Sequence, residues 1–235
     1  MGRVRRAAVV LAGVVVGVSA CGDHGDSLPA LPPTVTVPPI TAPVVTDSGA
    51  LHARLLGPAD VPAGFTQIDD AAPGNGPTPP DRSRTDPVEC AKVLAPLGDL
   101  YPGATARSAV HYSSPNYASI DIDIAGYADG GAAHAFSAVQ KLLQDCRDYS
   151  GTDADGTALD YHLGGLTQPT AGAASTSFQV RTTSEGMSLY SAATVAVVGS
   201  SIVQIAETSP AQVDPAALRD LTDKQIRKLT GATGP

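Results

Sequence analysis

Three cysteines (Cys21, Cys90, Cys146) and five histidines (His24, His52, His111, His134, His162) are the side chains best suited to nucleophilic, redox or metal chemistry. The histidines are scattered, and no two stand at a metal-ligand spacing. Asp121-x-Asp123 could hold a cation, but the alternation of a half-buried strand already accounts for both carboxylates. Asp153-x-Asp155-Gly156 begins like a calcium loop without its full ligand set and reads as a polar turn. Ser27, in Gly25-Asp26-Ser27-Leu28, is a candidate nucleophile, yet it runs straight into prolines and no Asp-x-x-His block follows near the C-terminus. A nucleophile elbow, a phosphate loop and a dinucleotide fingerprint are all missing. The reading is therefore not an enzyme, with no cofactor and no metal ligands.

Composition bounds the partners. The chain has 235 residues, 16% charged, with no tryptophan and 4% aromatic residues, too few for a ring-stacking carbohydrate platform. A formal net charge of -8 disfavours nucleic acid as a partner.

The elements begin with an address. A basic head, Met1 to Arg6, is followed by an apolar run from Ala7 to Val18 that is shorter than the roughly 20 residues a membrane helix needs. This pattern predicts a secretory signal over 1–20. Val18-Ser19-Ala20-Cys21 resembles the lipobox of bacterial lipoprotein precursors. The resemblance implies diacylglyceryl transfer to Cys21, cleavage before it, and a cell-membrane anchor on the extracellular face through two or more acyl chains. Loss of Arg3, Arg5 and Arg6 with the signal takes the net charge to -11.

Residues 21–48 carry Pro29, Pro32, Pro33, Pro38, Pro39 and Pro43, which exclude helix and central strand. The expectation is a disordered, extended tether that holds the domain several tens of ångströms off the membrane, at about 3.1 Å per residue.

A single α+β domain is predicted over 49–232. Asp86-Pro87-Val88-Glu89 has the form of a helix start, with Cys90, Val93, Leu94 and Leu97 on one face and Pro96 and Gly98 ending it. Residues 107–112 read as a strand. Ser119–Ile124 alternates cleanly, placing Ile120, Ile122 and Ile124 on a core and Asp121 and Asp123 toward water. Asp129 and Gly130 open a helix with a Phe136, Val139, Leu143, Cys146 stripe. Strands are expected at 157–163, 175–181, 189–198 and 202–206, the last two joined at Gly199-Ser200. A final helix starts at Asp214-Pro215 and stops at Gly231.

Cys90 and Cys146 both fall on apolar faces, and export places them in an oxidising compartment. They form either a disulfide or two separate core thiols.

Leu55-Leu56-Gly57-Pro58-Ala59-Asp60-Val61-Pro62-Ala63-Gly64-Phe65, then Asp86-Pro87-Val88-Glu89-Cys90, then a strand and an alanine-rich helix ending at Cys146, resemble the extracellular sensor domain of mycobacterial PknH-type serine/threonine kinases, over roughly residues 50–230. The resemblance implies a twisted antiparallel sheet flanked by helices, a cleft, a sensing or ligand-binding role, and a match of Cys90 and Cys146 to one of that family's bridges. The favoured function is a lipid-anchored, sensor-like ligand-binding lipoprotein of the actinobacterial envelope. A structural or assembly lipoprotein acting through a protein partner comes second, and an envelope hydrolase third.

Overall fold

The structure, a computed structural model, describes residues 27–68 and 82–231. The signal segment, Cys21, His24 and most of the polar loop after β1 lie outside the described residues. Among the described residues, four helices, α1 (Ser48–His52), α2 (Leu97–Leu100), α3 (Gly131–Asp145) and α4 (Pro215–Thr230), accompany nine strands. The strands are β1 (Thr66–Ile68), β2 (Arg84–Asp86), β3 (Ala104–Ser113), β4 (Ser119–Tyr127), β5 (Asp148–Thr152), β6 (Ala158–Gly165), β7 (Ala174–Ser184), β8 (Met187–Val198) and β9 (Ser201–Ser209). They form one sheet in the order β1-β3-β4-β9-β8-β7-β6-β5-β2, and every neighbouring pair is antiparallel.

Both faces of the central strands are covered. On the first face, Ile120, Ile122, Ile124, Val203 and Ile205 pack under α1 and α4 through Leu51, Leu218 and Leu221. On the second, Tyr127, Phe178, Val195, Val197 and Ile202 pack under α2 and α3 through Leu97, Phe136, Val139 and Leu143. A strand covered on both sides loses its polar alternate positions, which is why β8 and β9 read as nearly continuous apolar runs. For the same reason Asp123 does not face water as its alternation predicts and is half-buried on the second face, whereas Asp121, nearer the strand's start, keeps an exposed side chain beside His111.

Asp214 caps α4 by accepting the Ala216 amide, Pro215 follows at the first turn, and Gly231 closes the helix at φ 70°. The helix predicted from Asp86 is not formed. Asp86 ends β2 opposite Ser150, and only a 3-10 turn, Val88–Lys92, follows before α2. A lone helix of about three turns is marginal, and ladder pairing with β5 together with a bond from Cys90 prevails over it. That bond is a disulfide to Cys146 at the C-terminal end of α3, with the Cα atoms 5.6 Å apart.

Residues 27–47 also differ from the sequence expectation. They are extended and without regular structure, as the prolines require, but they lie along the domain as a strap. Leu31, Val37 and Ile40 pack on the second-face core and Val45 on the first. The Gly165 amide donates to the Pro29 carbonyl at 2.7 Å. Gln140 grips Val35 at two points, accepting its amide at 2.6 Å and donating to its carbonyl at 2.9 Å. Ser200 and Thr105 donate to the carbonyls of Pro43 and Val45. A proline-rich chain offers few donors but many carbonyls, and those carbonyls take most of these bonds.

Candidate functional site

Strap residues Ala42–Val45, the β8–β9 turn, α1 with the following Arg54, and the C-terminal end of α4 enclose an open groove of about 450 Å³. Its walls are mainly apolar: Pro43, Val44, Val45, Leu51, Val198 and Leu229. Arg54 supplies the one cation of the lining, alongside the hydroxyls of Ser200, Ser201 and Thr230. The Arg54 guanidinium lies 3.5 Å from the Leu229 carbonyl, at the negative end of α4. Apolar walls with a few convergent polar groups are the usual make-up of a small-molecule site.

Two buried glutamines build this geometry, and the sequence reading missed both. Gln225 is fully buried on α4; it accepts the Leu56 amide at 3.0 Å and donates to the Arg54 carbonyl at 2.9 Å. Gln140 does the same for Val35. Each stands within its helix's apolar stripe, Gln140 between Phe136 and Leu143 and Gln225 between Leu221 and Leu229. A polar residue at a core position of a helix was the legible signal. Lys228 adds to the clamp on the segment after α1, donating to the Leu55 carbonyl at 3.0 Å and to the Asp60 carboxylate at 2.6 Å. That hydrogen bond holds the Asp60 carboxyl below the usual carboxylate range.

A second pocket, of about 200 Å³, opens on the first face at β7 and β8, between the start of the strap and α4. Beyond it, no helix among the described residues packs on this face of the outer strands. Asp148, Asp160, His162, Arg181 and Thr183 alternate there as polar side chains. A third, of about 170 Å³, lies beside the disulfide and the stacked rings of Tyr149 and Tyr161, whose centroids are 4.4 Å apart. Burial pushes the Tyr149 hydroxyl up.

The candidate chemical residues are dispersed. His52 Nδ1 lies 3.1 Å from Ser108 Oγ, in an exposed setting. His111 pairs with Asp121 at 2.8 Å, and Ser119 donates to the other oxygen of the same carboxylate at 3.0 Å. The carboxylate therefore stands between serine and histidine, the wrong order for a base that activates a hydroxyl. His162 pairs with Asp148 at 2.8 Å, and His134 stacks on Tyr101. Asp153 accepts the amides of Asp155 and Thr157, an Asx turn that closes β5 and β6. Those backbone bonds, Thr157 first, hold its carboxyl low. Among the described residues, no group of three or more His, Cys, Asp or Glu side chains is placed to hold a metal.

Asp123 accepts the Leu97 amide at 2.7 Å. Burial nevertheless pushes its carboxyl up to about 6. Because the folded value exceeds the unfolded one, the folded protein binds the extra proton, and stability falls as pH rises from roughly 4 to 6 and stays lowered above. Asp123→Asn keeps an acceptor for Leu97 and should gain about 2 kcal/mol at pH 7 while flattening that slope. Urea unfolding from pH 4 to 8 checks this; a variant with the parent's slope refutes it. Glu207 is shifted in the same direction by burial, and Asp60 in the opposite one, so the paired comparison isolates Asp123.

Fold and groove together define a class: a single-sheet antiparallel α+β domain with an open groove between its strap, its β8–β9 turn and two of its helices. The chain shares this fold with the extracellular domain of PknH from Mycobacterium tuberculosis, at a TM-score of 0.61 and 14% sequence identity, over 81% of this chain and 99% of that one. An uncharacterized Mycobacterium smegmatis protein, the Rv0999 ortholog, aligns at a TM-score of 0.39 and 14% identity, over 73% and 92% of the two chains. No protein-family model and no curated protein matches the sequence. The likeness to a PknH-type sensor domain is thus met at the level of fold. Among the described residues, no helix is long and apolar enough to cross a membrane.

Proposed function

We propose that this chain is a lipid-anchored, extracellular, sensor-like module of the cell envelope, attached through Cys21, that binds a small amphipathic anion in the groove between the strap, α1 and α4. The carrying observation is the composition of that groove, where apolar walls surround one guanidinium, that of Arg54. Apolar surface would take the body of a ligand, and Arg54 with the Ser200 and Ser201 hydroxyls would take its acidic head. Likeness of fold to the extracellular domain of PknH supports a recognition role rather than a catalytic one.

Dodecanoate is a suitable probe. It should bind the mature protein in titration calorimetry, and Arg54→Ser should weaken it about tenfold, since a hydrogen bond to a charged group contributes roughly 1.5 kcal/mol or more. Dodecanol should bind the parent no better than dodecanoate binds the variant. Equal affinity of parent and variant for dodecanoate would overturn this reading.

A second reading, assembly with a protein partner, has its own observation. Tyr117 on the β3–β4 turn and Met187 and Leu189 at the start of β8 are exposed at the same end of the sheet.

A further inference from the structure

The charge of this acidic chain is unevenly distributed. Residues 27–46 of the strap, 163–180 and 208–213 contain no ionisable side chain. The three neutral stretches converge where the strap begins. Leu28 sits with Leu166, Gln212 and Val213 at the rim of the pocket on the first face, whose lining holds one charged side chain, the cation of Arg181, and no carboxylate. Pro29 accepts the Gly165 amide, and Gln168 donates to the Pro215 carbonyl at 2.7 Å. Gly164 and Gly165 allow the approach, since a Cβ on either would lie 2.4 Å or less from Leu28 or Ala30.

We propose that this carboxylate-free surface is the side of the domain that rests on the lipid bilayer, held there because the docked strap delivers the acylated cysteine beside it. The proposal rests on the reading that Cys21 carries the anchor. Only six positions separate Cys21 from Ser27. Even fully extended they span about 20 Å, whereas the whole segment from Cys21 to Asp47, released as polyproline II, would reach about 80 Å. A body of net charge -11 is repelled by an anionic leaflet over a distance of about 8 Å at physiological salt. Turning its neutral side to the headgroups avoids that repulsion.

The test uses the full mature lipoprotein in vesicles of phosphatidylcholine and phosphatidylglycerol that contain a headgroup-nitroxide lipid. A bimane is placed at Thr167→Cys in the neutral surface or at Ser137→Cys on the exposed side of α3. Quenching should be several-fold stronger at 167 than at 137. Gln140→Leu, which removes both bonds to Val35, should narrow the difference. Vesicle flotation reports the anchor separately. Protein that fails to float overturns the anchor, and this proposal with it. Protein that floats but is quenched equally at both positions overturns the orientation alone.

Discussion

Replacing Cys90 and Cys146 together by alanine should lower the unfolding free energy by about 4 kcal/mol, the chain-entropy value for a loop of 56 positions. For a domain of this size that corresponds to a melting temperature about 10 °C lower. The bridge is the covalent tie between the 3-10 turn Val88–Lys92 and the end of α3, and both sulfurs are buried beside Tyr149, Val93 and Leu142. Short β2 and the 3-10 turn have little other burial, so they should loosen first. Thermal melts of the double variant check the magnitude, and hydrogen exchange at 84–92 checks the location. Superimposable melts of parent and variant would refute it.

Gly165→Val should release the strap. A Cβ there would lie 2.3 Å from the Ala30 carbonyl oxygen, so strap or strand must move. Undocking strips cover from Leu31, Val37 and Ile40, leaves Gln140 without its two partners, and frees the Gly165 amide. Partial exposure of three apolar side chains and loss of a buried amide pair together amount to about 3 kcal/mol. Amide exchange should rise sharply at Val35, and a protease should cut within 30–45 while the body stays intact. Unchanged protection at Val35 in a folded variant would show that the strap is not held there.

Much of this architecture was legible because local signals agreed with the global fold. The Asp214-Pro215 start and Gly231 stop of α4, the Gly199-Ser200 turn, and the isoleucines of β4 each fix an element by local rules. What escaped depended on distant partners. β2 and β5 are short and polar; β5 exists because it pairs along its length with β6, and β2 because it pairs with β5. The face carrying Cys90 and Leu97 looked helical, yet one residue was drawn into a bridge and the other opens α2 and is buried in the second-face core. Prolines correctly predicted an extended segment before Ser48. They could not show that its intervening leucine, valine and isoleucine side chains had a sheet to lie on. The groove was least visible, since its walls come from strap, turn and two helices far apart in sequence.

The strap also guards the sheet's margins. β1 pairs with only the last three residues of β3, and β5 stops short of the end of β6, so β3 and β6 would otherwise present unpaired backbone. On β3, the Arg107 amide is instead satisfied by the Ser48 hydroxyl, and Thr105 binds Val45. At the end of β6, past the reach of β5, Pro29 occupies Gly165. Bare strand margins are templates for intermolecular pairing. A chain stripped of its first forty-odd residues would therefore carry sticky borders, and at high protein concentration it would self-associate into fibrous or amorphous deposits.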